Sequence, residues 1–140
     1  MKMDYNKTYN KILTDEEFME IKQHGSSAYP FQYYYDNLEL FDFHCIEWHW
    51  HREFEFLYVE SGQVTCGIGE KKIILSKGEA IFINSKILHQ FYASSDGVIP
   101  NFVCMPEFIA PENSLVYKKY ILPIISSNIY FQRFQTDELW

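Results

Sequence analysis

A chain of 140 residues with 47% hydrophobic and 19% aromatic content has material for one packed core and is too short for a second independent one; that apolar share excludes a disordered polymer. The net charge of −7 comes without any run of Lys and Arg beyond Lys71-Lys72 and Lys118-Lys119, so no basic footprint for a phosphate backbone is present. No apolar run approaches the roughly 18 residues of a membrane helix, the N-terminus lacks a signal-peptide core, and Cys45, Cys66 and Cys104 form no CxxC pair; together these predict a cytoplasmic protein with free thiols and no membrane partner.

In chain order, a polar arm comes first. Thr14-Asp15-Glu16-Glu17 is a capping-box pattern that predicts a short helix through Phe18, Met19 and Ile21, covering the core with those apolar residues and ended by Gly25. From Tyr29 the texture turns β-branched and aromatic, with strands expected over 30–35, 38–46, 48–60, 63–68, 72–76, 79–84, 87–93 and 98–105. Turn residues such as Asp36-Asn37, Ser61-Gly62, Lys77-Gly78 and Ser95-Asp96-Gly97 cut these runs apart. Short, evenly spaced strands argue for a mainly β fold, an antiparallel sandwich or a jelly-roll barrel. Pro111-Glu112-Asn113 opens a short helix over Ser114 to Leu122 that Pro123 should end. A last apolar stretch, Ile129 to Phe134, reads as a strand or an extended segment, and the chain then stops at Trp140 as though cut rather than completed. The organisation expected is an arm with a short helix over 1–27, a barrel over 28–110, and over 111–140 a short helix with the start of a connection to a further part.

Within 48–60, His49, His51, Glu53 and Glu55 share one parity and therefore one face of an extended strand. Trp48, Trp50, Arg52, Phe54, Phe56 and Tyr58 take the other face, which suits burial against a second layer or an interface. Neutral imidazole and carboxylate suit Zn, Ni, Fe or Mn; the same residues also serve as pocket histidines hydrogen-bonded to a carboxylate. His24 and His44 have no partner in this pattern, and of Tyr33, Tyr34 and Tyr35 one face should border the barrel interior. No GxSxG, P-loop or GxGxxG sequence points to a catalytic elbow or a nucleotide site.

His49-x-His51, three residues, Glu55, six residues, Gly62 resembles the first cupin motif, in which two histidines and a glutamate bind a metal inside a small β-barrel. Gly78 followed after ten residues by His89 resembles the second, and puts His89 at the fourth ligand position. Phe43 stands where the first motif has its leading glycine, and Asn84, Lys86 and Ala93 replace the second motif's proline, middle glycine and terminal asparagine. Nearly the whole chain, through HWHREFEFLYVESGQV, LSKGEAIFINSKILHQF, FVCMPEFI and VYKKYILPII in this order, is similar to the N-terminal sensor domain of AraC-type transcription regulators. The resemblance implies a cupin-like jelly-roll barrel with short flanking helices, no enzymatic activity and a homodimer. It further implies a small sugar-like effector bound at His49, His51, Glu53, Glu55 and His89, and DNA contact only through helix-turn-helix motifs outside this chain. It leaves two questions open: whether His49, His51, Glu55 and His89 hold a divalent metal, and whether the chain is instead a free-standing metal-dependent cupin enzyme such as a dioxygenase or sugar isomerase.

Overall fold

The computed structural model describes residues 9–136; the first eight residues of the expected arm and Asp137 to Trp140 lie outside the described residues. The elements are β1 (Phe31–Asn37), two 3-10 turns (Leu38–Leu40 and Asp42–His44), β2 (Cys45–His49), β3 (Phe54–Tyr58), β4 (Ser61–Ile68), β5 (Lys71–Ser76), β6 (Ala80–Ile83), β7 (His89–Tyr92) and β8 (Gly97–Cys104). They are followed by α1 (Pro106–Ile109), a π-turn (Tyr117–Ile121), α2 (Leu122–Ile125) and β9 (Phe131–Phe134). All strand pairings are antiparallel, in the order β2-β7-β4-β8-β3-β6-β9, with β1 added on β8 and β5 on β4. This is a mainly β, cupin-like jelly-roll barrel.

The sheet folds back on itself where β4 changes partner. Ser61 and Gly62 pair with Val98 and Gly97 of β8, while Thr65 to Ile68 pair with β7. Gly62 makes that change possible: its φ is +80°, and a Cβ there would stand 2.1 Å from the Asp96 carbonyl oxygen. Between the two halves lies an apolar core that includes Leu38, Leu57, Val64, Leu75, Ile81, Phe91 and Ile99. A second core forms outside, where Phe54 and Cys104 meet Ile121 and the partly buried Phe31, Phe56, Phe82, Ile124 and Ile125. The helical segment 115–125 therefore covers the outer face of the β3-β6-β8 half.

Three expectations need correction. Residues 14–25 form no helix: Asp15 accepts hydrogen bonds from the amides of Glu17 (2.8 Å) and Met19 (3.0 Å), and Phe18 turns left-handed at φ 66°. The segment closes as a hairpin, with Ile21 N–H on the Leu13 carbonyl, and docks beside Trp50, whose N–H donates to the Phe18 carbonyl while its carbonyl accepts from Glu20. A side-chain oxygen that captures nearby amides competes with the helix ladder, and here it wins because a strand edge is available. As a result Phe18 and Ile21, expected to cover the core, are exposed at 52% and 65%. Second, 38–46 is not one strand and 48–60 is not one strand; two 3-10 turns interrupt the first and the chain leaves the ladder at 51–53 in the second. Third, the helical segment runs through Pro123 instead of ending there. The π-turn at 117–121 shifts the hydrogen bonds by one residue, with Leu122 N–H on the Tyr117 carbonyl, and leaves Pro123 in the first turn of α2, where a missing N–H costs least.

Two departures from the cupin motifs occupy strained backbone. Phe43 (φ 56°) and Lys86 (φ 64°) are left-handed, the conformation for which glycine is the natural residue. The backbone demand of the motif persists although its glycine does not. All three cysteines are free thiols, and among the described residues no helix is long and apolar enough to cross a membrane.

Candidate metal and ligand site

β2 delivers His49, the irregular 51–53 segment His51, β3 Glu55 and β7 His89. The register sets His49 opposite His89 across β2-β7, and the four side chains converge with donor atoms all within 4.8 Å of one another. Each is buried, His89 completely. The break at 51–53 keeps His51 pointing inward although the strand is not regular. It diverts Glu53 instead: its carboxylate lies outside the set of four, 3.6 Å from the far nitrogen of His51, and lines a neighbouring cavity of about 430 Å³. Trp48 and Trp50 point away from the histidines, as parity requires, with Trp50 Nε1–H donating to the Glu17 carbonyl and Trp48 lying over Gly67.

The donor set fits a divalent transition metal. Each histidine turns Nδ1 toward a backbone carbonyl: His49 to Glu47 (2.8 Å), His51 to Glu53 (3.1 Å) and His89 to Ile87 (2.7 Å). A carbonyl only accepts, so Nδ1 carries the proton in all three and a neutral ring presents a bare Nε2 to the centre. Yet Nε2 of His51 and of His89 stand 3.1 and 2.9 Å from the same Glu55 Oε2. Lone pairs facing a carboxylate at that distance repel unless positive charge lies between them, as protons or as a metal cation. Separations near 3 Å are also what bonds of about 2 Å at right angles to one ion would give. Burial and the neighbouring His89 push His49 down to about 3, so that ring is neutral. Burial alone would raise the Glu55 carboxyl, but the bonds from His51 and His89 hold it well below the usual range. Burial works against a charged His51, and its bond to Glu55 raises it on balance.

Above this cluster opens a cavity of about 500 Å³, bounded by His49, His51, Glu55, Phe91 and Val103 and, on the other side, by arm residues including Ile12, Leu13 and Glu20. Its polar wall was not anticipated. His24 Nδ1 accepts from the Tyr34 hydroxyl at 2.6 Å, and its Nε2 donates to Glu20 at 3.0 Å; the ring lies edge-on to His51, with centroids 5.6 Å apart. Burial and then the surrounding carboxylates push Tyr34 up to about 12, so it is a hydroxyl donor. Burial raises Asp36, which accepts from Asn101 Nδ2 at 2.9 Å. His24 read as ordinary because it has no partner in the pattern of 49–55; the available signal was the spacing Glu20-x-x-x-His24, which pairs a histidine with a carboxylate in the arm. Tyr34, flanked by the outward Tyr33 and Tyr35, is the inward residue that the alternation of β1 requires.

A family model for the cupin domain matches residues 45–103. Over 133 residues the chain is 25% identical to an uncharacterized HTH-type transcriptional regulator, YdeC, of Bacillus subtilis (strain 168), a match covering 92% of this chain and 45% of that protein. The chain thus spans about half the length of this curated relative. Among solved structures, an RmlC-like cupin from Shewanella frigidimarina is 17% identical at a TM-score of 0.48, over 53% of this chain and 65% of that one. A predicted oxalate decarboxylase from Thermotoga maritima is 20% identical at a TM-score of 0.42, over 44% and 56%.

Proposed function

We propose that this chain is the effector-binding module of an AraC-type transcription regulator, whose helix-turn-helix part lies outside it. The observation that carries the reading is the 500 Å³ cavity floored by His49, His51 and Glu55 and walled by hydroxyl, carboxamide and carboxylate groups. A small sugar-like molecule fits such a wall, because its hydroxyls can donate to the carboxylates of Asp36 and Glu20 and to the hydroxyl oxygen of Tyr34, whose own proton is held by His24. His49, His51, Glu55 and His89 would hold a divalent metal (Zn, Ni, Fe or Mn), which when bound supplies a positive centre that attracts ligand oxygens. Glu53 stands beside the set and assists by holding His51 through its carbonyl. Support for regulation, rather than catalysis, is the 25% identity to an HTH-type regulator over almost the whole chain. In this reading the protein works in the cytoplasm as a homodimer.

Metal analysis after tag-free purification, repeated on a His49→Ala, His51→Ala double variant, tests the site: stoichiometric metal that disappears in the variant is expected. A thermal-shift screen of sugars and related polyols tests the ligand class, since a ligand at about 100 times its dissociation constant adds roughly 2.7 kcal/mol. No stabilisation by any polyol, with or without metal, sinks the sugar-like effector. The four-donor set favours one second reading, a metal-dependent cupin enzyme of the dioxygenase or isomerase kind; turnover of a stabilising ligand by the metal-loaded protein would establish it.

A further inference from the structure

The turn at Asn84, Ser85 and Lys86 touches the donor cluster and the C-terminal segment at once. On the cluster side, Lys86 N–H donates to the His51 carbonyl (2.8 Å) and Ser85 Oγ to the Arg52 carbonyl (2.6 Å), while Ile83, just before the turn, pairs with Glu55. On the other side Ile83 pairs with Phe131, Asn84 N–H donates to the Tyr130 carbonyl (2.9 Å), and Asn84 Nδ2 donates to the carbonyls of Ile124 (2.9 Å) and Ile129 (2.8 Å). Asn84 is 4% exposed, so its carboxamide is buried where it bridges the two carbonyls. Both of its amide protons are engaged, and Lys86 is held at φ 64°, a conformation that persists only where its flanks fix it. A proline in place of Asn84, as the second cupin motif has, could make none of these donor bonds.

We infer that this turn couples occupancy of the cluster to the order of residues 122–131. The inference rests on the reading of His49, His51, Glu55 and His89 as metal ligands. Drawing the donors onto one ion fixes the backbone of His51 and Glu55; the turn passes that constraint to the carbonyls of Ile124 and Ile129, and an ordered 122–131 in return favours the closed donor set. The alternative state is the same segment frayed from the sheet, where the Asn84 bonds and the β6-β9 pairing are lost together.

Hydrogen exchange on the protein with and without Zn²⁺, with metal stoichiometry measured on the same samples, tests this. Bound metal is expected to slow exchange of the Ser126, Ser127 and Ile129 amides at least about fivefold beyond the general slowing seen in β5, whose hydrogen-bonded ladder runs with β4 and includes no residue of the turn or the segment. Asn84→Ala leaves all four donors in place, and should still bind the metal but lose that excess protection. Stoichiometric metal with no excess protection overturns the coupling, as does full protection retained in Asn84→Ala. If Asn84→Ala does not fold, the wild-type comparison decides alone. Failure of the site reading itself is visible separately, as protein that takes up no metal, and the coupling falls with it.

Discussion

Glu55 is the residue on which the cluster turns. One oxygen faces two Nε2 atoms at 2.9 and 3.1 Å, and both rings have Nδ1 committed to carbonyls, so the negative charge of that oxygen is what makes positive charge at the centre favourable. Glu55→Gln keeps the size and removes the charge and one donor lone-pair set. Metal affinity by calorimetry is expected to fall by more than the roughly 10–100-fold that loss of a supporting hydrogen bond costs; unchanged affinity would exclude Glu55 as a ligand. Backbone strain gives a second expectation at this scale. An L-residue in the left-handed region costs about 1–2 kcal/mol and glycine recovers that minus its own entropy, about 0.5–1 kcal/mol, so Lys86→Gly should raise stability by up to about 1 kcal/mol in urea unfolding while Lys86→Ala should not. Three of the four donors, His49, His51 and Glu55, were legible in the sequence because their parity survives even where the strand breaks, and His89 was legible only through its spacing from Gly78, which resembles the second cupin motif. Glu20 and His24 were not, because a spacing of four satisfies a helix face as well as two legs of a bent arm, and only the competition between Asp15 and the helix ladder decides between them.

Among elements, strands bounded by glycine and aspartate were readable and long runs were not. The 48–60 run carries one unbroken β-like texture, yet it contains the kink that aims His51, since the texture records burial and not hydrogen bonding. Pro123 misled in the opposite direction: a proline ends an α-helix only where the register would require its N–H, and a π-turn removes that requirement. Gly62 was expected in a turn but lies inside β4, where its left-handed backbone and the close approach of Asp96 mark the junction of the two half-sheets. Gly62→Ala combines a steric overlap against backbone with a left-handed φ, and should destabilise the protein by at least about 2 kcal/mol. Chemical denaturation measures it; a loss under about 0.5 kcal/mol, typical of neutral surface changes, would mean that β4 can change partner without glycine.

At the scale of the whole molecule, the arm and the barrel meet around one site while the C-terminal segment packs on the turn at Asn84, and which distant pieces meet is the part that single-sequence reasoning reads least, because patterning gives each strand a buried face without naming its neighbour. β9 illustrates this: it could be read as a strand, but its place on β6 could not. That place is fixed partly by Arg133, whose guanidinium bonds Glu79 Oε2 at 2.8 and 2.9 Å while Glu79 Oε1 accepts from the Ser76 amide. Burial would raise the Glu79 carboxyl, but the Ser76 amide and Arg133 outweigh it and lower it below its ordinary 4.5. A carboxylate with a depressed folded-state pKa adds stability that is fully present above 4.5 and is lost as the pH falls through the lowered value. Glu79→Gln should therefore be less stable than the wild type at about pH 7 and converge with it at an acid pH below the lowered value, where the wild-type carboxyl is protonated as well. Arg133→Gln should show the same convergence, since the two share one interaction, and the double variant should lose little more than either single one. Urea midpoints at both pH values measure all three proteins; a constant gap between Glu79→Gln and wild type across the pH range would mean that the packing of Glu79, and not its charge, anchors β9 to the barrel.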